Sequence, residues 1–547
     1  MKTLGLSGLR LHLARSLSAL RTSNAEDPRH SSLRAAFSWS LRLLAPAEQR
    51  ALARAALLPS HFSARALLGA VEDLGGIELL DALLEQALVV PAHVGGPDLD
   101  PRFRLLETVR SFAAEQLTDP ERADALKRIT AWWTQEARRL RQACRENGTA
   151  RCLAEMTVEL DNLLGLVELI VEDQPAAAAS LLVELAFNAR GAGRLARTNR
   201  LVDRALARRE ALPPLVTASL LLERALGRLD RQADPEITED ALLEAWRLTT
   251  DASCGAPSPP PDDHASPGLR QKVANALHIF MSERGRYEEA ARWGAEEQAI
   301  VCTAQDPILQ VGYLSQRANT LLQQCQIDEA RGIFERCLAL LGEGFVRRRC
   351  VIHYNLSLAE MAQGRLAFAE HHLRRSLSLA EETGDPALLL RSRGFLGVIR
   401  WESGSRPQGL RLVREVTAQT EALGLPGWTT IWRLCLGRLL ALQGEHQAAL
   451  DQVLPRMGHM PNPRHAMMAR ILLAACLVAL GRRAELGELL HEAAAMAAGA
   501  TSPHLRQMAS LIGAGPEPSP TEGAWPLDIQ QLARVTRAAG LGSVLGA

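Results

Sequence analysis

Few residue patterns in this chain could support chemistry. A loop that binds nucleotide phosphates, G-x-x-x-x-G-K-S/T, needs a lysine directly after a glycine. None of the three lysines, Lys2, Lys127 and Lys272, follows a glycine. The H-E-x-x-H pattern of zinc enzymes and the G-x-S-x-G turn of hydrolases are also absent from the sequence. We therefore predict no catalytic residue and no cofactor-binding residue, and we expect the chain not to be an enzyme.

The histidines do not form a recognisable metal site. His371 and His372 follow Glu370 on a predicted helix, where adjacent side chains point about 100° apart and do not converge on one ion. His459 and His465 flank the segment Met-Pro-Asn-Pro, and we expect both to be exposed in a loop. We predict no metal site.

The cysteines and the apolar segments indicate the compartment. The nine cysteines contain no C-x-x-C pair and no regular spacing, so we expect free thiols in a reducing cytoplasm. No apolar run approaches the roughly 18 residues that span a membrane. Arg10, His12 and Arg15 interrupt the segment that would have to serve as an apolar signal sequence. We therefore predict a cytoplasmic protein with no membrane segment.

The composition favours helices throughout. Of the 547 residues, 47% are hydrophobic but only 4% are aromatic, so the cores must be built from Leu, Ala and Val. Residues that favour strands are scarce, and we predict an all-α protein of about three or four units. The 62 basic residues balance the 62 acidic ones, which gives no overall attraction to nucleic acid or to an anionic membrane. The basic run 138–141 is interpreted as a solvated helix face.

A repeat of about forty residues runs through the second half of the chain. Short polar turns recur at Gly285, Cys325, Gly364, Gly404, Gly444 and Gly481. The positions seven before these turns, most of them small, are His278, Ala318, Ser357, Gly397, Gly437 and Ala474. The positions five after them are Ala290, Ala330, Ala369, Gly409, Ala449 and Leu486. Because two helices joined by a tight turn approach closely only where small residues face each other, we predict stacked helix pairs with one continuous core.

The turn segment Gly285-Arg-Tyr-Glu-Glu-Ala290 resembles that of tetratricopeptide (TPR) repeats, in a variant longer than the usual roughly 34 residues. The resemblance implies a TPR-like α-solenoid over 268–512, whose first helices line a concave ligand-binding face. Degenerate helical repeats are predicted over 176–251, and a proline-rich loop, 252–267, separates them from the stronger repeats. Residues 513–547 are predicted to be a tail with one short helix.

Residues 26–118 are predicted to form a small winged-helix-like domain with a short β-hairpin, followed by a helical connector over 119–175. The helices of the winged-helix-like domain are expected at about 31–44, 46–58, 63–72 and 77–87. Its strands are expected at 88–90 and 103–105, and its wing at 95–98. The helix 77–87, which would enter the DNA major groove, contains three acidic residues and no basic residue. Phosphates would repel it, which argues against binding of nucleic acid through this helix.

Three segments resemble bacterial STAND regulators, the signal-transduction ATPases with numerous domains. They are 29–44 (RHSSLRAAFSWSLRLL) and 102–117 (RFRLLETVRSFAAEQL) of the winged helix, and 159–163 (ELDNL) at the start of the repeat sensor. The resemblance implies the order ATPase, winged helix and sensor. Residues 1–25 resemble the last helix of a missing or degenerate ATPase helical domain, although the phosphate-binding loop is absent. The position of a nucleotide-sensing histidine in related receptors falls at Leu106, which cannot donate a hydrogen bond.

The leading hypothesis is a non-catalytic regulatory or scaffold protein that binds a protein or peptide on the concave face of the TPR repeats, in bacterial signalling or transcriptional control. One alternative is a DNA-binding regulator that uses Arg102 and Arg104 on the hairpin. Another is the sensor half of a split ATP-dependent switch, whose partner is a separate nucleotide-binding domain. Three asparagines lie on first helices but not in one register, so we predict no shared ligand clamp from Asn275, Asn319 and Asn355.

Overall fold

The chain forms two compact units. The first comprises Met1–Glu136 with Asp161–Leu166, and the second comprises Ala137–Leu160 with Val167–Ala547. The computed structural model describes residues 37–58, 60–94, 99–146, 150–191, 194–229, 235–251, 267–284, 286–304, 306–460, 462–498, 503–513 and 527–541. The expectations for residues 1–25, the wing at 95–98, nearly all of the proline-rich loop and the turn at Gly285 therefore lie outside the described residues.

The first unit contains short helices around three strands. The elements are α1 (Pro46–Ala55), β1 (His61–Ser63), α2 (Ala64–Val71), α3 (Glu78–Glu85), β2 (Val89–Ala92), β3 (Arg102–Leu105) and α4 (Glu107–Ala114). The strands form one antiparallel sheet in the order β1-β3-β2, in which His61 and Val90 both lie opposite Arg104. The winged-helix-like pattern with its hairpin is confirmed. The sequence analysis missed β1, because three residues are too few to show alternation, and α1 ends before the predicted residue 58.

Two side chains hold the segment between α1 and α2 in place. The Ser63 hydroxyl accepts a hydrogen bond from a backbone N–H in the first turn of α2 at 3.2 Å, so β1 runs directly into a capped helix. Arg110 on α4 reaches back and donates to three carbonyl oxygens that follow α1, those of Ala56, Leu58 and Ser60. Carbonyl groups at a helix end lack helical partners, so this arginine satisfies them.

Two long helices follow, α5 (Asp119–Glu146) and α6 (Ala150–Ile170). Trp133 on α5 is buried, and Trp132 lies so close to Gly69 on α2 that a Cβ there would come within 2.2 Å of the indole. Asn162 on α6 donates a hydrogen bond to the carbonyl oxygen of His61 at 2.5 Å. The first unit therefore includes the beginning of the predicted connector.

The second unit is an array of helix pairs. The pairs are α7–α8 (Pro175–Gly191, Leu195–Leu206), α9–α10 (Pro214–Leu229, Pro235–Asp251), α11–α12 (Pro267–Glu283, Tyr287–Ala304), α13–α14 (Pro307–Gln323, Ile327–Leu341), α15–α16 (Val346–Ala362, Leu366–Thr383), α17–α18 (Pro386–Glu402, Arg406–Ala422), α19–α20 (Pro426–Leu442, His446–Val453) and α21–α22 (Pro463–Ala479, Leu486–Ala498). Two more helices follow, α23 (Pro503–Ser510) and α24 (Leu527–Ala538). Each helix of the array packs on the next along the chain. The all-α class and the solenoid are confirmed.

Several first helices begin with the same two-residue signal. An Asp or Asn side chain accepts backbone N–H groups of the first turn, and a proline occupies the first helical position, in Asp306-Pro307, Asp385-Pro386 and Asn462-Pro463. Proline loses nothing at this position, because the N–H that it lacks would have no partner within the helix. The sequence therefore fixes where these helices begin.

The turns that end the first helices adopt the left-handed backbone conformation. Gly364, Gly404, Gly444 and Gly481 have φ angles of 72°, 96°, 84° and 76°. Cys325 has the same conformation, with a φ of 63°, although it carries a side chain. Glycine adopts this conformation without penalty, whereas other residues lose about 1 kcal/mol or more. The predicted turn positions among the described residues are confirmed.

Small residues face each other within the pairs, as predicted. A Cβ added to Gly409 on α18 would lie 2.5 Å from the carbonyl oxygen of Gly397 on α17 and 2.6 Å from the backbone nitrogen of Trp401. A Cβ on Gly437 would lie 2.9 Å from Val453. The two backbones of the α17–α18 pair are therefore in direct contact, which only glycine allows.

Candidate functional site

The first helices of neighbouring pairs contact one another, as α11 does with α13, α15 with α17 and α19 with α21. They form one layer of the array. We call the surface of these first helices that points away from the second helices the inner face. Because successive first helices contribute to it side by side, a ligand on this face would contact several repeats at once.

Five residues of α15, α17 and α19 form what we call the inner-face cluster. The rings of Tyr354 and Phe395 lie 5.4 Å apart at 67°, and those of Phe395 and Trp432 lie 5.0 Å apart at 63°. Both are edge-to-face arrangements, which aromatic pairs favour. The guanidinium carbon of Arg391 lies 4.0 Å from the centre of the Tyr354 ring and 5.5 Å from that of Trp428. Three successive repeats are therefore joined by a cation between aromatic rings.

Arg391 has no carboxylate partner among the described residues. Its Nε and Nη2 atoms are buried and make no hydrogen bond within that part of the chain. Burial raises the pKa of Tyr354 to about 12, while the Arg391 charge acts in the opposite direction. Arg391 as a whole is partly exposed, and its charge contacts aromatic rings where other arginines of the array pair with acids.

The inner face of the α19–α20 and α21–α22 pairs is covered by α23 and α24. Helix α24 packs on α19 and α21, and α23 packs on α21, α22 and α24. Gln507 on α23 also donates to the Cys325 sulfur at 3.7 Å, at the turn after α13. Ile529, Leu532 and Val535 of α24 are buried in one core with residues of both first helices. Consequently α21 is buried on nearly all sides, as a helix that is apolar all round must be.

Polar contacts fix the position of α24. Arg464 on α21 donates two hydrogen bonds to the Asp528 carboxylate, at 2.7 and 2.9 Å. Arg438 on α19 donates to the Gln531 side-chain oxygen at 3.2 Å, and Gln531 donates to the Glu402 carboxylate at 2.8 Å. Glu402, at the end of α17, also pairs with Arg534. Three first helices thus each supply a charged group to one face of α24, and a cavity of about 410 Å³ lies beside it.

Two histidines lie against this contact. Burial, reinforced by Arg464, lowers the pKa of His465 to about 4 and that of His504 to about 3. Burial acts to raise the pKa of Asp528, but Arg464 and Arg438 outweigh it and lower this pKa to about 2. Both imidazoles are therefore neutral and Asp528 is charged near neutral pH. The sequence expectation for His465 is wrong, because it lies in the first turn of α21 and is half-buried, while the side chain of His459 lies outside the described residues.

His372 on α16 lies next to a histidine of α15, a contact that the sequence did not indicate. His353 on α15 and His372 have their Nδ1 atoms 3.1 Å apart, so one ring donates a hydrogen bond to the other. Burial and the neighbouring His372 lower the pKa of His353 to about 4. His371 is exposed and packs against His372 edge to face. Among the described residues, no three potential metal ligands converge.

The three asparagines are not gathered into one site. Asn275 donates to the carboxylate of Glu297, which is fully buried and also accepts from Gln271 at 2.5 Å. Asn355 is buried, and Asn319 is half-buried. The structure therefore places the three asparagines in different surroundings. Asn275 serves instead to satisfy a buried acid inside one pair.

The surface that would read DNA is acidic. Glu78, Asp81 and Glu85 of α3 are exposed, and α3 is the helix that precedes the hairpin. Arg102 is buried, so it cannot contribute to the phosphate contacts that the DNA-binding alternative assigned to it, whereas Arg104 is exposed. Only one of the two hairpin arginines is therefore accessible.

Two further sequence expectations are settled by the second unit. The run 138–141 is not simply a solvated face, because Arg141 donates to the buried Glu184 at 2.7 Å and Arg138 lies 3.6 Å from the same carboxylate.

The cysteines described by the structure are free thiols. Burial raises the pKa of Cys144 and of Cys476 to about 12, so both thiols stay protonated at neutral pH.

The inner-face cluster and α24 were both missed as a site by sequence reasoning. One signal for the cluster was available in the sequence. Aromatic residues make up only 4% of the chain, but Tyr354, Phe395 and Trp432 all lie nine to twelve positions before successive turns. Their clustering on neighbouring first helices follows from that spacing. No comparable signal connects α24 to the repeats.

The part of the chain that the structure describes contains no helix with the length and apolar character of a membrane span.

No protein-family model matches the chain. Over 140 residues the chain is 35% identical to proteins of Mycobacterium tuberculosis and Mycobacterium bovis that are named HTH-type transcriptional regulators. This match covers 25% of the chain and 15% of each relative, so the chain aligns with a small part of their length. The predicted resemblance to bacterial regulators is confirmed over this segment.

Two solved structures are also similar. One is a signal-transduction ATPase with numerous domains and a tetratricopeptide repeat sensor from Pyrococcus horikoshii, with a TM-score of 0.48 and 13% identity over 86% of this chain and 66% of that one. The other is the apo form of the quorum sensor NprR from B. thuringiensis, with a TM-score of 0.40 and 12% identity over 62% of this chain and 97% of that one.

Proposed function

We propose that the chain is a non-catalytic regulatory protein that binds a protein or peptide on the inner face of its helix pairs, in cytoplasmic bacterial signalling or transcriptional control. The division into a winged-helix-like domain at 26–118, a connector at 119–175 and repeats at 176–251 and 268–512 belongs to this proposal. The observation that carries it is the inner-face cluster. Arg391 offers its positive charge to a carboxylate, and the partly exposed rings of Phe395 and Trp428 offer apolar surface to neighbouring side chains of the same ligand.

The partner is a peptide or protein segment with a carboxylate next to apolar residues. A guanidinium attracts a carboxylate through a charge-assisted hydrogen bond, and the flanking rings hold its plane in place. DNA binding is disfavoured by the acidic surface of α3. The relatives that share 140 residues with this chain are named as transcriptional regulators, and regulation through a bound protein is compatible with that description.

The test is selection from a random peptide library displayed on phage, with the full-length chain as bait. We expect enrichment of peptides that carry an acidic side chain or a free carboxyl terminus beside apolar residues. Recovered peptides should bind the Arg391→Met variant at least about tenfold more weakly, since that substitution removes the charge but keeps the chain length. Arg411→Met, on the exposed face of α18, is the matched control and should bind normally. No enrichment, or equal binding to Arg391→Met, would overturn the proposal.

A further inference from the structure

Helix α24 resembles a ligand in the way that it contacts the repeats. Its apolar residues Ile529, Leu532 and Val535 are buried against α19 and α21, on the inner face. Leu434, Met468 and Ile471, which those first helices contribute to the same core, are buried as well. An amphipathic helix laid into an apolar groove is a common mode of peptide recognition.

A row of polar residues on the buried side of α24 is matched to the charges of the groove. Asp528, Gln531 and Arg534 follow one another at intervals of three residues, so they lie along one side of the helix. The groove supplies Arg464 opposite the acid and Glu402 opposite the arginine. The charge order is therefore complementary from one end of the contact to the other, which fixes both direction and register.

The contact also has features of one that can open. Helix α24 has only twelve residues, a length at which an isolated helix is marginal in water. Two buried polar atoms beside Asp528 have no hydrogen-bond partner among the described residues, His465 Nδ1 and His504 Nε2. Burial of such atoms opposes the association of the surfaces that cover them.

We propose that α24 is a built-in competitor that closes the groove of the last repeats, and that the open groove accepts an amphipathic helix of the same chemistry from a partner protein. Such a helix carries an acid, then an amide and an arginine at three-residue intervals, with branched apolar residues between them. This inference rests on the proposed function, because it concerns the same inner face, but it assigns a different part of that face from the one around Arg391. Covalent attachment gives α24 an advantage over any partner in solution, so a partner must bind more tightly than α24 itself.

The experiment uses a fluorescent peptide of residues 527–541 and the full-length chain. The double variant Ile529→Asp/Leu532→Asp changes α24 and leaves every groove residue intact. We expect the labelled peptide to bind this opened variant at least about tenfold more tightly than the wild-type chain, in which the groove is occupied. A peptide carrying Asp528→Arg should bind the opened variant weakly and recover affinity when the groove carries Arg464→Asp. Equal binding to wild type and opened variant, or none to an opened variant with a native circular dichroism spectrum, would overturn the inference.

Two further measurements keep the result interpretable. If the opened variant does not fold, hydrogen exchange of the wild-type chain decides instead: amides of α24 should exchange faster than those of α21, and exchange of both only through global unfolding would contradict the inference. Introducing Arg391→Met into the opened variant separates the two proposals. The labelled peptide should still bind it, while library peptides selected through Arg391 should not.

Discussion

The main chains of two helices meet at Gly409. Its Cα faces the carbonyl oxygen of Gly397 and the backbone nitrogen of Trp401, so no side chain fits between the helices. The neighbours are backbone atoms, which cannot rotate away as the end of a side chain can. The small residues of the repeat pattern are therefore a packing requirement at this position, and not only a feature of composition.

We expect Gly409→Ala to lower the free energy of unfolding by about 1–3 kcal/mol, because the added methyl group forces the two helices apart. Gly332→Ala is the matched control. It lies within α14, and an added Cβ would meet nothing within 4 Å. This substitution should raise the free energy of unfolding by up to about 1 kcal/mol through helix propensity. Urea unfolding of both variants checks the pair, and equal effects would refute the backbone-contact explanation.

Individual charged residues divide into those with partners inside the chain and those without. The buried carboxylates of Glu184 and Glu297 have arginine or amide partners close by in space, although these lie many positions away in sequence. Arg391 differs, because its neighbours are aromatic rings. The loss of peptide binding expected for Arg391→Met depends on this one residue, because no acid of the described chain neutralises its charge.

At the scale of elements, α23 and α24 behave as additions to a regular array. The pairs before them repeat at about forty residues and obey the same capping and turn rules. Neither α23 nor α24 shares that period, and their positions depend on contacts with side chains of three first helices. The short tail helix predicted from the sequence exists, but its function as a cover for the repeats was not predicted.

Acid should weaken the contact between α24 and the repeats. The folded-state pKa values of His465 and His504, about 4 and about 3, lie below the ordinary value of 6.5. Between 6.5 and about 4 the unfolded chain therefore binds more protons than the folded chain, so stability falls as the pH falls through this window. Asp528 adds a second loss, below its ordinary pKa of 3.8 and towards 2.

The measurement is the change in Tm between pH 7 and pH 4.5. We expect the double variant His465→Gln/His504→Gln to lose less Tm over this interval than the wild-type chain, since glutamine does not take up a proton. The comparison concerns the slope and not the absolute Tm, which the substitutions will also alter. His93→Gln, at an exposed histidine that directly follows β2 and lies in the first unit, serves as the control for the substitution itself. An identical slope in the double variant would show that these histidines do not contribute.

At the scale of the whole molecule, the charges of the chain balance. The 62 basic and 62 acidic residues produce no net field that would attract a polyanion. The helix that faces DNA in winged-helix proteins carries Glu78, Asp81 and Glu85 at its surface. The winged-helix-like topology therefore carries an acidic surface on α3, which opposes contact between this helix and phosphates.

We expect the full chain to show no salt-dependent binding to duplex DNA. The measurement is fluorescence anisotropy of a labelled duplex of about 30 base pairs, titrated at low and at moderate salt. If acidic repulsion is the reason, the variant Glu78→Gln/Asp81→Asn/Glu85→Gln should gain weak binding that falls as salt is added. Binding by the wild-type chain with a steep salt dependence would instead support the DNA-binding alternative.

The sequence by itself determined the elements and their order. The turn glycines predicted the helix ends, and the repeat register predicted the close approach at Gly397 and Gly409. Three first helices also begin at an Asp-Pro or Asn-Pro pair, which is a signal of the same local kind. Each of these signals acts within one helix or one helix pair, so a local pattern is sufficient to read it. The winged-helix pattern was read in the same way, apart from the short strand β1.

Only the tertiary structure decided which surfaces are covered and which charges are paired. Arg464 and Asp528 are 64 positions apart, and Gln507 meets Cys325 across 182 positions. Arg391 lies between rings that belong to the preceding and the following repeat. Contacts of this kind depend on how rigid pairs stack and on where the end of the chain folds back, and no local periodicity encodes either. The same distance in sequence explains why His465 was expected at the surface and lies half-buried against α24.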